Sequence, residues 1–235
     1  MINFDRVLCF SDFHAPYQHK DALRFLKAVK AEYSPTAIIS VGDELDSHAM
    51  SFWPSEIDLA NATEELMQGR KVIAGLAELF PELLCVESNH TDRLYRAGKR
   101  ANIPKELLVP YKTMLGVQDY NWSWQFERRL YIKGQHVVFV HNGGSNVLLT
   151  SQRHGCSVVA GHIHTKQKIE YWQSPYGRSY GMQVGCLVDH TSPAYRYSIG
   201  QVIQPLLGCS VIISGVPKLI EMNLKRNGRW NNKIN

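Results

Sequence analysis

Short β-rich apolar runs recur along the chain of 235 residues, and five of them end in a polar cluster. In the first half they alternate with helical periodicity. Arg6–Phe10 reads as a strand, and Lys20–Glu32 then sets Leu23, Leu26 and Val29 at helical spacing with Asp21 in the first turn. Pro35 breaks the chain before a second strand, Thr36–Val41. Glu56–Leu79 carries Leu59, Leu66, Ile73 and Leu76, predicting a long amphipathic helix that stops at Phe80-Pro81, and Leu83–Glu87 reads as a third strand. Two strand–helix–strand crossovers in series predict a parallel sheet.

The second half has a different rhythm. Asn102–Tyr120, with Pro104, Pro110 and Gly116, reads as helical or irregular. Strands are expected at Trp122–Phe126 and at Leu130–Val140, the latter interrupted at Gly134, followed by a short helix near Asn146–Arg153 and a strand at Cys156–Ala160. From Lys168 onward strand-like runs alternate with turns: Lys168–Trp172, Ser179–Val184, Tyr197–Gln204, Cys209–Ile213 and Leu219–Leu224. The order fits an α/β sandwich of two sheets flanked by helices.

The five polar clusters change this from a fold pattern into a chemical one. Asp12 and His14 follow Val7–Phe10, Asp43 follows Ala37–Val41, and Asn89-His90 follows Leu83–Val86. His141 follows Val137–Val140, and Gly161-His162-Ile163-His164 follows Val158–Ala160. Open α/β sheets gather their chemistry at the carboxyl ends of strands. Asp12 and His14 are two apart on an extended segment, so both can face one side, and His162 and His164 share that spacing. Asp43 has two oxygens with which to bridge two cations. A donor set of Asp, His and Asn without thiolate suits Mn²⁺, Fe²⁺ or Zn²⁺ and is too rich in imidazole for Mg²⁺ or Ca²⁺ alone. Gly42 and Gly161 precede ligands where a tight turn or close backbone approach is useful.

Composition narrows the class further. Apolar residues at 44% and charged residues at 20% are those of a folded globular chain. No apolar stretch reaches the roughly 20 residues needed to span a bilayer. Met1–Asp5 lacks a basic flank leading into a long apolar core, so no signal peptide is expected and the expected location is the cytoplasm. Five scattered cysteines without a CxxC pair argue against a disulfide framework or a thiolate zinc site. The net charge of +5 is concentrated at Arg93, Arg96, Lys99, Arg100, Lys105 and Lys112, beside Asn89-His90, and in the tail at Lys225, Arg226, Arg229 and Lys233. The first group suits an anionic partner, whereas the tail reads as a frayed, solvated terminus.

The ordered motifs Asp12-Phe13-His14, Gly42-Asp43-Glu44-Leu45-Asp46, Ser88-Asn89-His90-Thr91-Asp92, His141 and Gly161-His162-Ile163-His164 resemble the calcineurin-like metallophosphoesterases. The resemblance implies a four-layer α-β-β-α sandwich of two mixed sheets flanked by helices. It implies one domain over 1–224, with 95–130 as an insertion facing the substrate and 225–235 as a basic polar tail. It also implies two divalent ions, Mn²⁺ first, with Fe²⁺, Zn²⁺ and Ni²⁺ as alternatives. Asp12, His14 and His164 would hold one ion, Asn89, His141 and His162 the other, with Asp43 bridging. The implied reaction is hydrolysis of a phosphate ester by metal-activated water. His90 would protonate the leaving oxygen and Asp92 would orient His90. Asp46, His48, Arg93 and Arg96 are candidate substrate contacts.

Two positions depart from the family pattern: Ser88 stands where glycine is usual, and Thr91 displaces the acid that normally follows His90. Gly42–Asp46 with Pro54-Ser55, together with the basic cluster, is similar to the nuclease branch, so a nucleotide or nucleic-acid substrate is expected. A phosphoprotein phosphatase is the alternative, and a metal-bound scaffold without activity the third reading. Trp53, Trp122, Trp124 and Tyr17 could stack on bases, although packing is the favoured reading.

Overall fold

Side chains of Arg6–Phe10 alternate between two cores: Val7 and Cys9 pack into one, Leu8 and Phe10 into the other. That alternation sets the architecture. The computed structural model describes residues 3–51, 60–192, 194–195 and 202–234. Its elements run β1 (Asn3–Phe4), β2 (Arg6–Phe10), α1 (Ala22–Tyr33), β3 (Ala37–Ser40), α2 (Ala62–Leu79), β4 (Glu82–Val86), α3 (Arg93–Arg100), α4 (Tyr111–Leu115), β5 (Asn121–Gln125) and β6 (Arg128–Ile132). They continue with β7 (Gln135–Val140), α5 (Val147–His154), β8 (Ser157–Ala160), β9 (Gln167–Ser174), β10 (Gly177–Val184), β11 (Gly208–Ile213) and β12 (Val216–Glu221).

One mixed sheet has the order β1-β6-β7-β8-β10-β9 and the other β12-β11-β2-β3-β4-β5. Val7, Cys9, Ile39 and Val86 of the second sheet meet Val137, Phe139, Val159 and Met182 of the first in a core between the sheets. Leu8 and Phe10 instead pack against Phe25 and Leu26 of α1 and Ile73 and Leu76 of α2. On the opposite outer face, Val138, Val158 and Ala160 receive Val147 of α5. The result is the expected four-layer sandwich.

The two parallel crossovers are present: β2, β3, β4 and β5 pair in chain order, all parallel. In α1 the buried positions Ala22, Phe25, Leu26 and Val29 follow helical spacing. Helix α2 starts at Ala62, where Asn61 caps Thr63 and Glu64 while the Glu64 carboxylate reaches back to the Asn61 N–H. Residues 56–59 of the helix expected there lie outside the described residues. The Leu130–Val140 run is a hairpin turned at Lys133 and Gly134, both at positive φ (46° and 82°).

The structure differs from expectation in four places. The segment after Asn89-His90 folds into α3, which the sequence pattern did not announce. It is part of the crossover from β4 to β5. The late strands divide between the two sheets, β9 and β10 joining β8 while β11 inserts beside β2. Of the strand expected at Tyr197–Gln204, residues 197–201 lie outside the described residues and 202–204 are not extended pairs. The last strand ends at Glu221, and Leu224 instead pairs with Trp230.

That pairing belongs to the fourth difference: the tail is docked. Arg229 donates from Nε (2.8 Å) and Nη2 (2.5 Å) to the buried Asp21 carboxylate, which also accepts the Trp230 N–H at 2.9 Å. Trp230 is buried edge-on to Phe25. The frayed-terminus reading fails because a carboxylate more than 200 residues upstream supplies the partner. Asp21→Ala is expected to destabilise the fold by about 2–3 kcal/mol, the scale of a buried charged hydrogen-bond set, read as a lowered urea midpoint. An unchanged midpoint would mean the tail adds nothing to stability.

Candidate metal centre

The ligand candidates sit where strands end and the backbone is bent sharply. Asp12 (φ 53°), His14 (φ 53°), Asp43 (φ 60°) and His162 (φ 70°) all occupy the left-handed region, in which side-chain-bearing residues are uncommon. Backbone hydrogen bonds hold these turns together: Asp12 N–H donates to Gly42 O (3.0 Å), His14 N–H to Asp43 O (2.8 Å) and Gly161 N–H to His141 O (3.0 Å). Two glycines are demanded by the crowding. A Cβ on Gly42 would lie 2.6 Å from His141 Nδ1, and one on Gly161 would lie 1.8 Å from Ser11 Oγ.

The bends bring the predicted ligands together in two groups. In the first, Asp12 Oδ1 lies 3.0 Å from His164 Nε2 and 3.7 Å from His14 Nε2, and the two ring nitrogens are 3.2 Å apart. In the second, His141 Nε2 lies 2.8 Å from Asn89 Oδ1 and 3.2 Å from His162 Nδ1. Asp43 Oδ2 stands between them, 3.5 Å from His14 Nε2 and 3.2 Å from His141 Nε2. All seven predicted ligands converge.

The protonation pattern tests whether cations fit. His141 Nδ1 lies 2.8 Å from the Val41 carbonyl, which only accepts, so Nδ1 carries a proton. Nε2 of the neutral ring then faces Asn89 Oδ1 and Asp43 Oδ2 with a lone pair, an arrangement that a metal satisfies. His14 repeats the design, with Nδ1 2.7 Å from Asp46 Oδ1 and Nε2 turned to the carboxylates of Asp12 and Asp43. Burial alone would lower the His14 pKa. Hydrogen bonds to Asp12 and Asp46 and the charge of Asp43 outweigh it and raise His14 to about 10. His141 is likewise raised to about 9, burial being overcome by the charge of Asp43. The buried carboxylates demand positive charge at these nitrogens, and protons supply it where divalent ions would otherwise do so. The donors fit two such ions.

The neighbours of His90 are not those expected. Its N–H donates to Asp43 Oδ1 (3.3 Å), Nδ1 donates to the Asp46 carbonyl (2.5 Å), and Nε2 accepts from Arg93 Nη2 (2.9 Å). Burial, with the nearby charges of His14 and Arg93 adding to it, pushes His90 down to about 4, so the ring is neutral at pH 7. Asp92 does not reach His90. It is exposed and pairs with Arg96 at 3.9 Å. Asp46 takes the supporting role through its backbone carbonyl and, at 3.5 Å, its carboxylate. Asp46 is buried against His14, so it positions that ligand and is not a surface for substrate. Asp46→Ala is expected to lower metal affinity or turnover by about 10–100-fold, while Asp92→Ala keeps turnover within about threefold because exposed pairs contribute little. Equal losses in the two variants, measured as manganese-dependent hydrolysis, would reverse this assignment.

Other predicted contacts separate. Arg93 also donates from Nη1 to the Asp46 carbonyl at 2.8 Å. Arg96 donates to the Asn89 carbonyl, bracing a ligand from behind. His48 is partly exposed, 3.8 Å from Asp46, and its N–H donates to buried Glu65 of α2 (2.6 Å), which also receives Ala49 N–H (2.9 Å). Trp122 is buried, its indole N–H on the Phe80 carbonyl, as packing predicts, whereas Trp124 lines a cleft beside the ligands. Trp53 and Pro54-Ser55 lie outside the described residues.

Three supporting residues escaped sequence reasoning. Ser88 Oγ accepts the Asp43 N–H (3.1 Å) and lies 2.7 Å from Thr91 Oγ1, which in turn receives the Ser88 N–H (2.5 Å). The two departures from the family pattern are therefore one hydrogen-bonded pair holding the turn before α3. Ser88 has no positive φ, so the missing glycine costs no strain here. The third, Tyr195, sets its buried ring against His14 and His164, both at 5.8 Å between centroids.

Comparison with known proteins agrees with this geometry. The family model for calcineurin-like phosphoesterases matches residues 5–183. No curated protein sequence matches. Among solved structures, Vps29 from Chaetomium thermophilum is similar at 10% identity, with 98% of this chain and 96% of that one covered and a TM-score of 0.50. Yfce, a phosphoesterase from E. coli, is similar at 13% identity, with 96% of each chain covered and a TM-score of 0.49. These likenesses concern the fold alone. No helix among the described residues is long and apolar enough to cross a membrane. With its family model covering most of the sequence, the chain belongs to the calcineurin-like phosphoesterases and is a metal-dependent hydrolase of phosphate esters.

Proposed function

We propose that the substrate is a nucleotide or nucleic acid, cleaved at a dinuclear centre that takes manganese. Asp12, His14 and His164 would hold one ion, Asn89, His141 and His162 the other, with Asp43 between the two groups. The observation that supports the dinuclear part of this reading is that the Nε2 atoms of His14 and His141, each with its Nδ1 fixed on an acceptor, turn toward the same Asp43 oxygen. When bound, the two cations supply Lewis acidity, lowering the pKa of water and offsetting charge on the phosphoryl oxygens.

The chain's own residues do the rest. Arg93 meets the phosphoryl group, leaving its contact with His90 as it does so. His90 Nε2 is then open to take a proton from solvent and pass it to the leaving oxygen, while the Asp46 carbonyl holds the ring through Nδ1. Asp46 fixes the His14 tautomer, and Ser88 and Thr91 hold the Asn89-His90 turn. The engagement of His90 Nε2 by Arg93 also favours a second reading, a metal-bound scaffold in which that contact is permanent. A manganese-supplemented panel of mononucleotides, cyclic nucleotides, single- and double-stranded DNA, RNA and a phosphopeptide separates these. Turnover of nucleotide or nucleic-acid esters is expected. Turnover of the phosphopeptide alone would make the protein a phosphoprotein phosphatase, and no turnover with both ions bound would make it a scaffold.

A further inference from the structure

We propose that the cleft beside Asn89 and His141 seats one esterifying group of the substrate, and that this group is a single nucleoside, not a run of polynucleotide. The proposal builds on the nucleotide reading above and narrows it.

The cleft has a volume of about 590 Å³, and Asn89 and His141 are among the residues that line it, so it adjoins the ligand cluster. That volume suits a small molecule. Four aromatic residues line it: Trp124, Tyr95, Tyr111 and Phe126. Phe126, in the turn between β5 and β6, is 82% exposed, a large aromatic side chain left in water at the cleft. Trp124 is fixed in place, its indole N–H on Glu44 Oε2 (3.3 Å) and its ring edge-on to Tyr111 at 5.2 Å. Trp124, held in this way, offers stacking to a planar base at little entropic cost, and the exposed Phe126 gains burial by covering one.

Charge argues against a longer polyanion. Arg96 and Lys105 line the cleft with the carboxylates of Glu87, Asp92 and Glu127, and Glu127 is itself paired with Arg129 at 2.7 Å and lies 3.8 Å from His154. Arg96 is engaged by the Asn89 carbonyl and by Asp92, and Lys105 Nζ sits 5.0 Å over the Tyr95 ring. Each further nucleotide would bring another phosphate charge to a cleft whose Arg96 and Lys105 already have partners. A base and a sugar bring no charge, and their amino and hydroxyl hydrogens suit carboxylate acceptors. In the basic segment after His90, Arg93 and Arg96 donate to backbone carbonyls, so its composition alone is no sign of nucleic acid.

The test is equilibrium binding to the manganese-supplemented full-length protein. Its probes are an AMP analogue with a methylene in place of the ester oxygen, methylphosphonate, and an eight-nucleotide single strand. The wild type is expected to bind the AMP analogue at least about tenfold tighter than methylphosphonate. Phe126→Ala should weaken the analogue by about tenfold, the scale of one base stack, and leave methylphosphonate within about twofold. Phe126 is exposed, so this variant folds. Equal binding of analogue and methylphosphonate, an unchanged Phe126→Ala, or tighter binding of the oligonucleotide with a steep salt dependence would each overturn the proposal. Preferential binding of the analogue by a protein that hydrolyses no nucleotide would retain the nucleoside cleft and remove the nucleotide-hydrolase reading instead.

Discussion

Replacing Asp43 with alanine is expected to cut phosphoester hydrolysis by on the order of 10³-fold or more and to strip tightly held metal from the protein. Among the described residues, Asp43 Oδ2 is the one carboxylate oxygen near both His14 Nε2 (3.5 Å) and His141 Nε2 (3.2 Å). The group of Asn89, His141 and His162 has no other negative ligand, so without Asp43 a divalent ion there would meet only neutral donors. The group of Asp12, His14 and His164 keeps one carboxylate and should retain weak binding. Asp43 also sits at φ 60°, where alanine is less at home than aspartate or asparagine. Asp43→Asn therefore serves beside Asp43→Ala: it keeps the turn and removes the charge. Loss of metal from both, with the urea midpoint of the asparagine variant near wild type, ties the effect to ligation. Full metal content in either variant would refute a bridging role.

His90→Ala should retain both ions and lose about 10²–10⁴-fold in turnover. The separation of the two readouts matters because His90 Nε2 also lies 3.8 Å from Asp43 Oδ2, close enough for His90 to be considered a ligand. A ligand would take metal with it, whereas a proton donor would not. The loss should be largest for alkyl esters, whose leaving oxygen needs a proton, and smallest for activated aryl esters. Uniform losses across leaving groups would assign His90 to binding, and unchanged rates would remove it from the reaction.

The metal cluster was legible because each ligand is local to its strand end. Val7–Phe10, Ala37–Val41, Leu83–Val86, Val137–Val140 and Val158–Ala160 announce buried strands, and the polar residue that follows has nowhere to be except the rim. What was not legible depends on partners far away in sequence. Asp92 lies two residues from His90 and looked like its support, yet the loop after β3 brings Asp46 to that ring from 44 positions upstream. Ser88 and Thr91 read as two losses when taken singly and as one hydroxyl pair only in three dimensions. Helix α3, Arg-Leu-Tyr-Arg-Ala-Gly-Lys-Arg, carries its helical period in the charges of Arg93, Arg96, Lys99 and Arg100 and not in an apolar stripe, so it read as a basic cluster; its only fully buried residue is Gly98. The tail looked disordered because the carboxylate that anchors Arg229 is Asp21, on the far side of the sequence. Likewise β11 is an ordinary apolar run, and nothing local says that it pairs with β2 and not with β10.

The dinuclear centre is tested most directly by the anomalous difference map of a manganese-soaked crystal. Two peaks are expected, one among Asp12, His14 and His164, the other among Asn89, His141 and His162, with the Asp43 carboxylate between them. A map with no peak within reach of Asp43, from protein that nonetheless hydrolyses phosphate esters, would contradict it.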